Sequence, residues 1–125
     1  MTDSSIDFGF AGAQVPSRTF KAGQIIFSES EPGNELFVIQ SGRVELRLGD
    51  RVLESLDANS IFGEMALIDK GPRSASAVAI TDVTVVPVTE RQFLFLVGHT
   101  PFFALKVMSV MAARLRATNE AHRKI

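Results

Sequence analysis

Between Ser17 and Val88 short β-rich runs alternate with turn chemistry, a rhythm that restricts this stretch to a small all-β unit. The runs are Gln24–Glu29, Glu35–Ser41, Arg43–Leu48, Val52–Leu56, Ser76–Ile80 and Val83–Val88. Glu31-Pro32-Gly33-Asn34, Ser41-Gly42, Gly49-Asp50, Asp57-Ala58-Asn59 and Thr81-Asp82 separate them. Val44, Leu46 and Leu48 alternate with Glu45 and Arg47, which is period two. Gly49-Asp50 reads as the two-residue loop of a hairpin. A sandwich or a small antiparallel barrel follows, over about residues 17–89.

The pattern then changes. Thr89 is placed to cap a helix running from Glu90 to about Val97. Thr100-Pro101 is a second start signal, with proline at the first helical position. From Phe102 to about His122 the chain lacks glycine and proline. Leu105, Met108, Ala112 and Leu115 fall on one stripe of that helix, read here as the side facing the barrel, with a dimer seam as the alternative. Phe93, Phe95, Phe102 and Phe103 read as core and hinge packing. A short helix is expected around Ser4–Ala13. The layout is one domain over residues 1–125, with C-terminal helices at about 90–122.

Several function classes are disfavoured. Net charge is −1, and the only basic concentration is Arg114, Arg116, Arg123 and Lys124, read as a charged helix end and not as a nucleic-acid footprint. The absence of cysteine removes disulfides, thiolate metal sites and cysteine nucleophiles. His99 and His122 are too few for a barrel metal site, and no serine sits in a nucleophile elbow, so no catalytic activity is expected. The N-terminus shows no signal-peptide pattern, and no apolar run reaches the roughly 18 residues of a membrane span. A soluble, cytoplasmic chain with neither membrane nor nucleic-acid contact of its own is the expectation.

The chemistry concentrates between Ile61 and Ala77, I-F-G-E-M-A-L-I-D-K-G-P-R-S-A-S-A. A helical turn starting near Gly63 would present N–H groups to an anion, and the small Ala66 would leave its own N–H open. Arg73, behind Pro72, offers a planar fork suited to phosphate, and Ser74 adds a hydroxyl. Glu64 would repel a phosphate but can accept from a nearby hydroxyl. Together these groups describe a sugar phosphate. The plain alternative is an ion pair between Glu64 and Arg73 across the loop.

This stretch resembles the phosphate-binding cassette of the cyclic nucleotide-binding domain family, which includes catabolite activator proteins, protein kinase A regulatory subunits and cyclic nucleotide-gated channels. Phe62-Gly63-Glu64-Met65-Ala66-Leu67 and Arg73-Ser74-Ala75-Ser76-Ala77 match its pattern without a gap. Phe27 to Val44 resembles the family's early strands and turns. The resemblance implies an eight-stranded antiparallel jelly-roll β-barrel, an N-terminal helical portion, and a C-terminal hinge and lid helix. It implies that Glu64 and the Gly63 N–H hold the ribose, and that Arg73 with the Ala66 and Ser74 N–H groups holds the cyclic phosphate. Arg114, Leu115, Arg116 and Arg123 are the candidates for the lid residue.

Ser74 leaves the base open: cyclic AMP is favoured, with cyclic GMP expected to bind too. No other cofactor is implied. The partners expected are the nucleotide, an effector protein the sequence does not name, and a second copy docked through the last helix. The alternative is a protein-interaction module with a vestigial cassette, which the presence of both Glu64 and Arg73 disfavours. Family transcription factors continue into a DNA-binding domain; a chain ending at Ile125 reads as a free-standing sensor or as a piece of something larger.

Overall fold

The computed structural model describes residues 16–68 and 70–123, with side chains described to residue 116. The strands are β1 (Arg18–Phe20), β2 (Ile25–Phe27), β3 (Glu35–Ser41), β4 (Val44–Leu48), β5 (Arg51–Leu56), β6 (Ile61–Phe62), β7 (Ser76–Ala79) and β8 (Val83–Thr89). The helices are α1 (Met65–Ile68), α2 (Glu90–His99) and α3 (Pro101–Arg123). The expected helix at Ser4–Ala13 lies outside the described residues.

Two four-stranded antiparallel sheets form, in the orders β1-β8-β3-β6 and β2-β7-β4-β5. Each strand pairs with its mirror image about the Gly49-Asp50 turn: β4 with β5, β3 with β6, β2 with β7 and β1 with β8. The chain is thus one long hairpin wound on itself, and the β3–β8 and β4–β7 pairings hold the winding. Leu48 faces Arg51 across the two-residue loop, and Gly49 carries the φ of 60° that the first central position of a type II′ turn requires. β1 and β6 were not expected as strands. They have three and two residues, too few to show a period.

The run Leu36-Phe37-Val38-Ile39 does not alternate because β3 is buried on both faces. Phe37 and Ile39 point between the sheets, where they meet Phe27, Val44, Leu56, Phe62, Ala77, Ala79, Val83 and Val85. Leu36 and Val38 point the other way, toward Ile61, Leu67, Val86, Val88 and the α3 residues Phe103 and Val107. The second sheet has only one buried face, so the outer part of the β4–β5 ribbon leaves Leu48, Val52 and Leu53 exposed.

Thr89 caps α2 as expected. Its hydroxyl accepts from the Gln92 N–H at 3.2 Å, and Gln92 Oε1 accepts from the Thr89 N–H at 2.9 Å, a reciprocal capping box. α2 and α3 meet at a 118° bend. The expected inward stripe of α3 is corrected: Leu105, Met108, Ala112 and Leu115 are exposed, while Phe103 and Val107 seat the helix on the sheet. The phenylalanine group also divides. Phe103 is fully buried edge-on to Phe93, at 5.5 Å between ring centroids, whereas Phe95 and Phe102 are exposed. No single described helix is long and apolar enough to cross a membrane.

Phe103→Ala removes the main side chain seating α3 and should cost about 3–5 kcal/mol in urea unfolding. Phe102→Ser should stay within about 0.5 kcal/mol of the parent.

Candidate functional site

Among the described residues only two charged or polar side chains are buried, Glu64 at 3% exposure and Arg73 at 7%. Burying either type demands compensation. Each finds a different kind.

Arg73 enters from the loop before β7. Its N–H donates to the Glu31 carbonyl at 2.8 Å, and its own carbonyl accepts from the Ser30 N–H at 2.8 Å. The turn between β2 and β3 therefore pins the arginine backbone. The side chain crosses a floor of three phenylalanines, Phe27, Phe37 and Phe62, whose ring centroids lie 5.3–6.0 Å apart. The guanidinium carbon stands 4.1 Å from the Phe27 centroid and 5.6 Å from that of Phe37, a cation–π geometry. Nη1 donates to the Glu35 carbonyl at 2.9 Å and to the Gly63 carbonyl at 3.0 Å.

Two glycines make this slot. A Cβ on Gly33 would stand 2.3 Å from Arg73 Nε, and one on Gly63 would stand 2.8 Å from Nη1. Gly63 also holds φ at 78°, a region other residues rarely adopt. Among the described residues no carboxylate lies within ion-pair distance of Arg73, and its buried Nε has no hydrogen-bond partner. Burial pulls the Arg73 pKa below the ordinary arginine value, against the pull of Glu35, Glu31 and Glu64. A desolvated cation with a donor to spare is a site for an anion.

Glu64 sits where β6 gives way to α1. Its carbonyl accepts from the Leu67 and Ile68 N–H groups at 3.0 Å each, which closes the short helix. Its carboxylate does not meet Arg73. Instead Oε2 accepts from Arg114 Nη1 of α3 at 2.6 Å, so the cross-loop ion pair does not form. Oε1 is buried without a hydrogen-bond partner. Arg114 also donates from Nε to Glu54 of β5 at 2.9 Å and from Nη2 to the Ile61 carbonyl at 3.0 Å. Burial would lower the Arg114 pKa, but the charges and hydrogen bonds of Glu64 and Glu54 outweigh it and raise the value.

The structure thus brings Gly63, Glu64, Ala66 and Arg73 together, with Ser74 exposed beside them. Of the lid candidates, Arg114 reaches the site, Leu115 and Arg116 are exposed, and the Arg123 side chain lies outside the described residues. His99 lies on α2, stacked on Phe95 at 4.0 Å, and no cluster of metal-ligating side chains occurs among the described residues. Sequence reasoning missed Phe27, Gly33 and Glu54. Only Gly33 left a signal, inside a turn.

The family model of the cyclic nucleotide-binding domain matches residues 17–99, from β1 to the end of α2. The chain belongs to this family. α3, with Arg114, lies beyond the matched stretch. The cyclic AMP receptor protein of Thermus thermophilus is 36% identical over 104 residues, covering 79% of this chain and 48% of that protein. This chain therefore spans about half the length of that curated relative. The crystal structure of the Thermus thermophilus catabolite activator protein matches with a TM-score of 0.78 at 28% identity, covering 93% of this chain and 61% of that one. The cAMP-bound form of the EAL enzyme Bd1971 matches with a TM-score of 0.62 at 37% identity, covering 86% of this chain and 30% of that one.

Gly33→Ala places a methyl where Arg73 now lies. The fold should persist, because the obstructed atoms belong to a side chain and not to backbone. The guanidinium should leave the Phe27 ring, so the Arg73 Nε–H resonance should lose its ring-current shift in an NMR spectrum.

Proposed function

We propose that this domain is a sensor that binds a cyclic nucleotide, cyclic AMP in preference to cyclic GMP, and reports occupancy through α3. The observation that carries this is the buried pair of unmatched groups, Arg73 Nε and Glu64 Oε1, held within one cassette. One lacks an acceptor and the other lacks a donor. A cyclic ribose phosphate supplies both.

In this reading Arg73 and the Ala66 and Ser74 N–H groups take the phosphate. The N–H groups of Leu67 and Ile68 already serve the Glu64 carbonyl, whereas the first N–H groups of a helix have no acceptor within it, which leaves that of Ala66 for a ligand. Glu64 Oε1 and the Gly63 N–H take the ribose 2′-hydroxyl. Arg114 neutralises Glu64 from the other side, so the two demands on this carboxylate fall on different oxygens. The mirror-paired sheets are read as the walls of a jelly-roll barrel. α3 is the lid, and nucleotide shifts its position only by binding one placement better than the other. Glu64 has its carboxylate paired with an arginine, which suits recognition and not general-base catalysis. The cyclic AMP receptor protein among the relatives supports a receptor role, and the effector that receives the signal is read as a separate protein or domain.

Isothermal titration of the nucleotide-stripped domain with cyclic AMP, cyclic GMP and AMP tests this reading. Roughly twenty ligand heavy atoms at about 0.3 kcal/mol each correspond to a Kd of tens of micromolar or tighter. AMP should give no heat. Arg73→Ala should weaken cyclic AMP binding by about 1.5–3 kcal/mol with the fold retained. Glu64→Gln should erode the preference for cyclic AMP over its 2′-deoxy analogue. An unchanged Kd in Arg73→Ala would sink the cassette assignment.

The exposed stripe Leu105, Met108, Ala112 and Leu115 supports self-association through α3. Sedimentation velocity should show a dimer, and Met108→Lys should shift it to monomer; a monomeric parent would rule this out.

A further inference from the structure

Arg114 meets two carboxylates among the described residues, and of these only Glu64 belongs to the cassette. The other, Glu54, lies on β5 opposite Leu46, in the sheet that does not carry α3. Its Oε1 accepts from Arg114 Nε at 2.9 Å, while Nη1 reaches Glu64 at 2.6 Å and Nη2 reaches the Ile61 carbonyl at 3.0 Å. A guanidinium is a rigid planar fork, so anchoring Nε fixes the plane in which the two Nη groups point.

Glu54 differs from an ordinary surface ion pair in its surroundings. Exposed pairs contribute little, because both chains are solvated and mobile. The side chain of Glu54 is 39% exposed, but that of its partner is 22% exposed and bonds onward to the buried carboxylate of Glu64. Glu54 thus stands at the solvent end of a line leading inward through Arg114 to Glu64. Without it, the guanidinium would lose the bond that fixes its Nε. Glu64 would then lose a fixed donor on Oε2, and with it the fixed aim of Oε1.

We propose that Glu54 is a positioning residue for the ribose end of the site: it orients the Arg114 guanidinium, which in turn holds Glu64 with Oε2 occupied and the unpaired Oε1 left for a hydroxyl. The proposal rests on the cyclic nucleotide reading of the cassette. It assigns part of the site's specificity to a strand outside the cassette and to the sheet opposite the lid.

The test is titration of the whole domain with cyclic AMP and 2′-deoxy cyclic AMP. Glu54→Thr keeps a strand-favouring residue but is too short to reach Nε; Glu54→Gln, which keeps the length, is the second variant. Urea unfolding of each checks that the fold is intact. Glu54→Thr should reduce the preference for the 2′-hydroxyl by about three- to tenfold, the range of one hydrogen bond. Glu54→Gln should fall between it and the parent. In an Arg114→Ala background Glu54→Thr should change nothing further, because its effect passes through Arg114. A preference that Glu54→Thr leaves intact overturns the proposal, and so does an equal loss with and without Arg114. A parent domain that ignores both nucleotides overturns the cassette reading and this proposal with it; a parent that binds while Glu54→Thr discriminates as before overturns this proposal alone.

Discussion

The site is organised around a cation that no carboxylate among the described residues approaches to ion-pair distance. Arg73 is taken out of water, laid over Phe27 and Phe37, and tied to two backbone carbonyls. Each neighbour follows from that placement. Gly33 and Gly63 lack side chains where the guanidinium passes. The turn between β2 and β3 clasps the arginine backbone, which fixes where that turn can run. The phenylalanine floor is at once the centre of the inter-sheet core and the surface that receives the cation. Candidate site and core are therefore one construction, and core substitutions near Phe27 disturb the Arg73 slot as directly as changes to polar groups would.

Glu64 and Arg114 supply the second half. A buried carboxylate is costly alone, and this one is compensated by a side chain from the last helix. The position of α3 and the state of Glu64 are coupled through a 2.6 Å hydrogen bond, with no intermediary. Phe103 and Val107 seat the same helix on the outer face of the first sheet. α3 thus has an apolar footing that sets its general placement and a polar contact that reaches Glu64.

Much of this was legible in the sequence, and the remainder was hidden for identifiable reasons. Turn residues and strand runs marked most of the sheet elements, and Thr89 marked the start of α2. Gly63, Glu64 and Arg73 stood out by residue type and spacing, and they are the ones brought together. The partner of Glu64 did not, because Arg114 is 50 residues away and nothing local announces it. The facing of α3 was misread for another reason. Phe103 and Val107 form one apolar stripe while Leu105, Met108, Ala112 and Leu115 form a second, and periodicity alone cannot choose between two stripes on one helix. Glu54 carried no signal, since a glutamate on a strand exposed along much of its length is unremarked until its partner is known.

The mirror pairing about Gly49-Asp50 bears on how the chain finds this structure. Bringing β1 to β8 directly would close nearly the whole described β region as one loop, at its full entropic cost. Closing β4 on β5 first leaves each later pair only a short extension to make, because its inner neighbours are already joined. Nested pairing of this kind turns a topology of distant contacts, slow when formed at random, into a succession of near ones. Arg73 lies beyond β6, just before β7, so in such a succession its slot would take shape midway, after the inner pairs.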